Sequence, residues 1–246
     1  MQLRVVNTGS QGGNCYLFEA SNATLIVELG VAFKTIKESL RFDMAEVCGA
    51  IVTHEHGDHS KGILETVKAG IDVYASPGTI QALRIRSHRL HSIAAQKVFN
   101  VGPFKILPFD VKHDCAQPYG FLINHEECGN VLFVTDSKYL PYKFPNLHNI
   151  IIEANYSEEI LNEGLIGGFM PSYLSNRIIN SHMSIETCCQ LLKNNDLTSV
   201  NNIVLIHLSD RNSHARNFKK QVEDLTAKSV HIADKGLLIN FNKTPF

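Results

Sequence analysis

The sequence predicts an α/β fold organised as one domain spanning residues 1–246, and three observations predict it. Short apolar, β-branched runs alternate with amphipathic segments of helical period along the whole chain. No Pro/Gly/Ser-rich linker and no block of like charge divides the 246 residues. Hydrophobic residues make up 44% of the composition, enough to bury a sizeable core.

The elements follow in order. Strands are expected at 3–6, 15–19 and 24–28. The glycine-rich segment Gly9 to Asn14 joins strand to strand with no helix behind it, so it reads as a hairpin turn rather than a phosphate cradle. A helix near 32–40 precedes a buried strand at 47–52, and another helix is expected near 60–69. After a strand at 72–74, a helix starts near Pro77, whose fixed φ suits a first turn. The second half repeats the plan, with strands around 120–123, 131–135 and 150–153, helices near 184–193 and 215–226, and closing strands near 203–206 and 237–240.

Chemistry concentrates directly after the strand at 47–52. There the chain reads Thr53-His54-Glu55-His56-Gly57-Asp58-His59. The i, i+2 spacing lets His54 and His56 reach one cation, while Asp58 and His59 turn toward a second position beside it. Imidazole nitrogen and carboxylate oxygen suit zinc, manganese or iron, and no nearby cysteine biases the site toward a structural thiolate zinc. A polar surface loop with incidental histidines is the alternative, and the tight spacing after a buried strand argues against it.

This HxHxDH pattern resembles that of the metallo-β-lactamase-fold hydrolases, and later segments keep the family's order. His113 stands before the strand-like 120–123, Asp136 closes Val131-Leu132-Phe133-Val134-Thr135, and His207 follows Ile203-Val204-Leu205-Ile206. Glu153-Ala154-Asn155 and Ser181-His182-Met183-Ser184 are similar to motifs of the RNase Z-type and YycJ-like (WalJ) nucleases. The opening loop, Arg177 and Asn212 resemble the YycJ-like group in particular. Glu28 stands where the family usually has an aspartate that orients a ligand histidine. Ser181 replaces a usual glycine, and an extra glycine precedes Asn14.

The resemblance implies a four-layer αββα sandwich, two mixed sheets flanked by helices, with the metal site at one edge. It also implies two divalent ions, zinc or manganese with iron less expected. His54, His56 and His113 would hold one ion, Asp58, His59 and His207 the other, and Asp136 would bridge them. Asp58, His182 and Glu153 would be catalytic, His182 protonating the leaving oxygen and Glu153 orienting it, with a metal-bridged hydroxide as nucleophile. Arg177 and Asn212 would contact the substrate phosphate. Two divalent ions against Asp58 and Asp136 leave a cationic centre that draws a phosphodiester anion.

The implied function is a dinuclear phosphodiesterase acting on nucleic acid, with exonuclease-like activity on DNA. The alternatives are a phosphodiesterase for small or cyclic nucleotides and an acyl hydrolase cleaving esters, thioesters or lactams. A formal net charge of −1 supplies no global attraction to nucleic acid and favours small nucleotides. The cluster Arg84, Arg86, His88, Arg89 and His91 reads equally as a backbone grip or a solvated surface. No long insertion separates His59 from His113, as a tRNA-gripping arm would, and no extra domain fits between Asp136 and His182. A non-catalytic metal binder is disfavoured because all seven ligand positions carry competent residues. A flavin-linked diiron enzyme would need a carboxylate at position 56.

Six cysteines without CxxC spacing point to reduced core residues. With no basic-then-apolar leader and no long apolar run, the expectation is a cytoplasmic protein without a membrane partner. A homodimer is expected by resemblance alone.

Overall fold

Residues 1–244 are described in the computed structural model. Two seven-stranded sheets stack face to face. The first runs in the order β14 (Leu238–Asn240), β1 (Gln2–Asn7), β2 (Cys15–Glu19), β3 (Thr24–Val27), β4 (Val47–Ile51), β5 (Val73–Ala75), β6 (Leu90–Ser92). The second runs β13 (Ser229–Ile232), β12 (Asn202–Ile206), β11 (Leu147–Glu153), β10 (Gly129–Val134), β9 (Tyr119–His125), β8 (Phe104–Asp110), β7 (Phe99–Val101). Each sheet is mixed on the same plan. Antiparallel pairs β1–β2–β3 give way to parallel β3–β4–β5–β6, and antiparallel β8–β9–β10 give way to parallel β10–β11–β12–β13.

Both faces of each sheet are covered, which explains why the central strands read as continuous apolar runs rather than alternating ones. In β3, Leu25 and Val27 enter the core between the sheets while Ile26 faces the opposite way. In β11, Ile151 joins that same inter-sheet core, and Ile150 and Ile152 turn outward. The outer face of the first sheet is covered by Phe33 and Ile36 of α1 (Phe33–Ser39) and by Ile63 and Val67 of α3 (Ile63–Lys68). The outer face of the second is covered by α7 (Ile185–Lys193) and α8 (Ala215–Thr226) through Ile185, Cys188, Leu192, Phe218 and Val222. The result is the four-layer αββα sandwich that the resemblance implied. Among the described residues, no helix is long and apolar enough to cross a membrane, and all six cysteines are free.

The sequence reading needs correction in places. The helix expected over 60–69 is two pieces, α2 (Gly57–Ser60) and α3, broken where the Gly62 N–H donates to the Leu29 carbonyl (2.8 Å). A Cβ on Gly62 would lie 2.5 Å from the Val31 oxygen, so the loop after the histidine motif must pass the backbone of the first sheet closely. Strands β6, β7, β8 and β13 were not foreseen. Pro108 weakens the strand signal of β8. Helices α4 (Pro77–Leu83), α5 (Glu158–Ile166) and α6 (Ser172–Ser181) complete the fold. The last two went unread because they bury little, packing on a small cluster of their own around Tyr156, Leu161 and Met170.

Candidate metal centre

The site lies where strands of both sheets deliver their C-terminal ends, the usual place for a ligand crevice in parallel sheets. β3 leads to Glu28, β4 to His54, β10 to Asp136, and β12 to His207. Glu28 (φ 71°), Asp136 (φ 44°) and His207 (φ 56°) all adopt the left-handed region that side-chain-bearing residues avoid. Three such residues clustered at one site is backbone strain held in place by the surrounding structure.

Two groups of donors form, sharing one carboxylate. His54, His56, His113 and Asp136 make the first, and Asp58, His59, Asp136 and His207 the second. In the first group His56 Nδ1 lies 3.1 Å from His54 Nε2 and 3.1 Å from His113 Nε2. Nitrogens sharing one tetrahedral cation stand about 3.3 Å apart. In the second group Asp58 Oδ2 is 3.4 Å from His59 Nε2 and 3.5 Å from His207 Nε2, and Asp136 Oδ2 is 3.4 Å from both His59 Nε2 and His113 Nε2.

The outer nitrogens of His54, His113 and His207 are engaged, which leaves the inner ones free, while His59 Nδ1 makes no hydrogen bond. His113 Nδ1 donates to the Ser181 carbonyl (2.9 Å), and His54 Nδ1 meets Thr53 Oγ1 (2.9 Å). His207 Nδ1 faces Glu153 Oε1 (3.2 Å), and His59 Nδ1 faces Glu28 Oε2 (3.4 Å). The longer Glu28 arm thus brings its carboxylate within ion-pair distance of His59. Such outer partners set tautomer and ring orientation. His207 Nε2 is buried and makes no hydrogen bond, with Asp58 Oδ2 3.5 Å away, an arrangement that a cation between them would satisfy. The donors therefore fit two divalent cations.

Electrostatics separates the two groups. Burial holds His54 well below the ordinary imidazole range, with His59 adding to it, and burial also lowers His113. For His207 burial opposes charge, yet Asp136, Asp58 and Glu153 raise its pKa to about 10. His59 is likewise raised, against burial, by Asp136 and Glu28. Asp136 sits well below the usual carboxylate range because His207 and His59 outweigh its burial.

Glu153 and His182 complete the constellation. Glu153 is fully buried; its Oε2 accepts from the backbone N–H of Ser137 (2.9 Å) and Met183 (3.1 Å), and its Oε1 from His182 Nδ1 (2.7 Å). With its oxygens so occupied it is an anchor rather than a ligand, although it falls within reach of a third donor group. His182 stacks on His207 at 5.4 Å and lines a cleft of about 1490 Å³. Burial disfavours its charged form, but Glu153 raises its pKa above the ordinary value.

Asn212 lines the same cleft and donates to Ser209 Oγ (3.1 Å). Arg177 stands at the flank, its Nε 3.4 Å from Asp114 Oδ2. The cluster at 84–91 is not part of the cleft, and Arg89 and His91 instead hold Asp72 at 3.3 and 3.0 Å. Glu55, inside the motif, points away and accepts from the Ala116 N–H (2.7 Å), pinning the loop that carries His113. Sequence reasoning did not single out Asn14, whose buried amide lies 3.1 Å from His59 Nε2. Its signal was the glycine pair before it. A Cβ on Gly13 would meet the Gly30 oxygen at 1.9 Å, so only glycine lets this loop approach.

Fold and donor groups together define a metal-dependent hydrolase. A profile of the beta-lactamase superfamily domain matches residues 17–208, and the chain belongs to that family. The chain is similar to the exodeoxyribonuclease YycJ of Bacillus anthracis, 26% identical over 227 residues that cover 85% of this chain and 83% of that protein. Among solved structures it resembles the metallo-β-lactamase fold protein YhfI from Bacillus subtilis, with a TM-score of 0.73 at 17% identity, covering 97% of this chain and 98% of that one. Human tRNase Z, short form, matches with a TM-score of 0.63 at 14% identity, covering 98% and 99%. Both structural likenesses concern the fold.

Proposed function

We propose that the chain is a phosphodiesterase that acts on nucleic acid, with an exonuclease-like activity on DNA. The observation that carries this reading is the Glu153–His182 pair, a half-buried imidazole whose charged form the Glu153 carboxylate favours, beside two donor groups that could hold cations and facing the cleft. Divalent cations bound by His54, His56 and His113 and by Asp58, His59 and His207, with Asp136 shared, would neutralise phosphoryl charge and acidify the attacking water. With Nδ1 fixed on Glu153, His182 carries its transferable proton on Nε2, where a leaving alkoxide oxygen needs it. Glu153 keeps that proton in place by charge and holds the ring by a 2.7 Å hydrogen bond. Asn212 and Arg177 supply polar contacts for substrate phosphate. The relationship to an exodeoxyribonuclease supports DNA as substrate. Near-zero net charge favours a second reading, small or cyclic nucleotides.

The test is hydrolysis of bis-p-nitrophenyl phosphate by protein loaded in turn with manganese and zinc, with Asp136→Ala as control. Metal-dependent turnover that the variant loses supports the reading. End-labelled DNA tested against cyclic nucleotides then separates the two substrates. Absence of turnover with both donor groups filled overturns the phosphodiesterase reading in favour of acyl hydrolysis.

A further inference from the structure

Charge is segregated along this chain. Residues 73–109 hold five of the 23 lysines and arginines and none of the 24 aspartates and glutamates, which leaves 18 cations against 24 carboxylates elsewhere. This stretch builds β5, α4, β6, β7 and nearly all of β8. β6 and β7 are the terminal strands of the two sheets, and Tyr74 of β5 packs on Phe99 of β7 (5.3 Å), so the acid-free segment gathers at one edge of the sandwich. The cleft lies toward the other edge, lined by loops that follow β1, β12 and β13. It is acidic, with Glu163, Asp210 and Asp234 against Arg211. The metal donors on the loops after β4 and β10 stand between the two.

The cationic edge leads up to those loops. Arg84, Arg86 and Arg89 lie in the turn from α4 into β6, and Lys97 follows β6. Because β6 runs parallel to β5 and β5 to β4, its C-terminal end is on the side of the histidine motif. There the Ala95 N–H donates to the Tyr119 hydroxyl (3.2 Å), and the Tyr119 N–H donates to the carbonyl of Thr53 (3.0 Å), next to His54. Lys97 thus stands near the reaction end, with the arginines below it by the length of a three-residue strand, about 10 Å. Arg84, Arg86 and Lys97 are exposed, and among the described residues no carboxylate pairs with them. Arg89 is shared with Asp72.

We infer that this edge is a binding surface outside the cleft that grips the phosphate backbone of a nucleic acid whose reacting phosphate sits at the metal centre. The inference rests on the phosphodiesterase reading and deepens it, naming a polymer rather than a free nucleotide as the substrate. Charge decides the direction of approach, since the acidic cleft repels a trailing chain of phosphates and the edge attracts it. A free or cyclic nucleotide is too short to span from the metal loops to the arginines. Charge on an exposed sheet edge also blocks pairing with other strands, but either sign serves that purpose. A stretch with cations and no carboxylate suits an anionic partner. The near-zero net charge of the whole chain conceals this field, because attraction acts through local potential.

The test compares three double variants, Arg84→Gln with Arg86→Gln, Arg84→Glu with Arg86→Glu, and Lys219→Gln with Lys220→Gln, the last removing the same charge from α8. Fluorescence anisotropy of manganese-loaded protein with a phosphorothioate DNA duplex across a salt series reads the edge. Turnover of bis-p-nitrophenyl phosphate, which has no backbone to reach the edge, reads the reaction centre separately. The expected result for the arginine-to-glutamine pair is roughly tenfold weaker binding and a log–log salt dependence shallower by about two units. The glutamate pair should bind more weakly still, and the α8 pair like the wild type. On long DNA, KM should rise in the arginine variants while kcat is kept. Unchanged binding and salt slope in the arginine variants overturns the inference, as does an equal loss in the α8 pair, which would assign the effect to net charge. A parallel fall in small-diester turnover overturns it by placing the arginines in folding or at the reaction centre. Loss of binding to phosphatidylglycerol vesicles with DNA binding kept assigns the edge to a membrane surface and also overturns it. Failure of the wild-type protein to turn over the small diester counts against the phosphodiesterase reading, while the anisotropy still decides what the edge binds.

Discussion

At the scale of single residues, the division of labour between His182 and Glu153 makes distinct predictions. His182→Ala removes a proton donor worth about 10²- to 10⁴-fold in rate when the leaving oxygen is an alkoxide. Hydrolysis of bis-p-nitrophenyl phosphate, whose leaving group departs without a proton, should fall far less. Comparing kcat on the two substrates checks this, and equal losses on both would assign His182 to structure or metal binding. Glu153→Gln keeps the shape but removes the charge that lifts His182. In the proposed mechanism His182 acts in its protonated form and activity is lost as pH rises through its pKa, so the variant's alkaline limb should move to lower pH. The variant also places an amide group against the N–H donors of Ser137 and Met183, at a stability cost of about 1–3 kcal/mol measurable by urea unfolding. Glu28→Asp shortens the arm that faces His59 at 3.4 Å, and weaker metal retention in the second donor group is the expected result.

At the scale of elements, the site is assembled by close backbone approaches rather than by side chains alone. The loop after β3, the glycine loop before β2 and helix α2 meet at Gly30, where a Cβ would lie 1.7 Å from the Asp58 oxygen and 2.6 Å from the Asn14 nitrogen. Gly30→Ala should therefore displace Asp58 and His59 together, costing about 1–3 kcal/mol or more through overpacking, and reduce bound metal from two equivalents toward one by elemental analysis. Gly57→Ala, at a position with nothing near its Cβ, should leave both stability and metal content unchanged and serves as the control. Normal metal content in Gly30→Ala would show that the loop adapts. The α5–α6 hairpin stands apart from this machinery, since it packs on its own small cluster and contributes the apolar wall of the cleft.

At the scale of the whole molecule, metal and proton compete for the same buried nitrogens. Burial holds His54 and His113 below the ordinary imidazole range, so these two donors of the first group give up few protons when a cation binds. His59 and His207 are raised by the surrounding carboxylates, so the metal-free second group is protonated and must release protons on binding. Affinity at the second group should therefore fall more steeply on acidification from about pH 8 to about pH 6 than at the first. Titration calorimetry in two buffers of different ionisation heat measures the protons released, and equal release from both groups would refute this assignment. Removing metal should also lower Tm, since a ligand bound only by the folded state stabilises it by mass action.

Much of this was readable beforehand, for definite reasons. That the HxHxDH run, His113, Asp136 and His207 converge was legible because metal-ligand chemistry tolerates few residue types, and because His54, Asp136 and His207 follow strands whose apolar runs are conspicuous. The central strands were legible because burial on both faces leaves them continuously apolar. The short strands β6 and β7 and the helices α5 and α6 were not, because elements that bury few side chains leave little periodic trace. Residue types, their order and the strand framework were thus determined by the sequence itself. Tertiary structure alone decided which nitrogen of each ring faces inward, that Glu28 comes within ion-pair distance of His59, and that Asn14 joins the site. These depend on backbone crossings between segments far apart in the chain, and no local pattern encodes a distance across a fold.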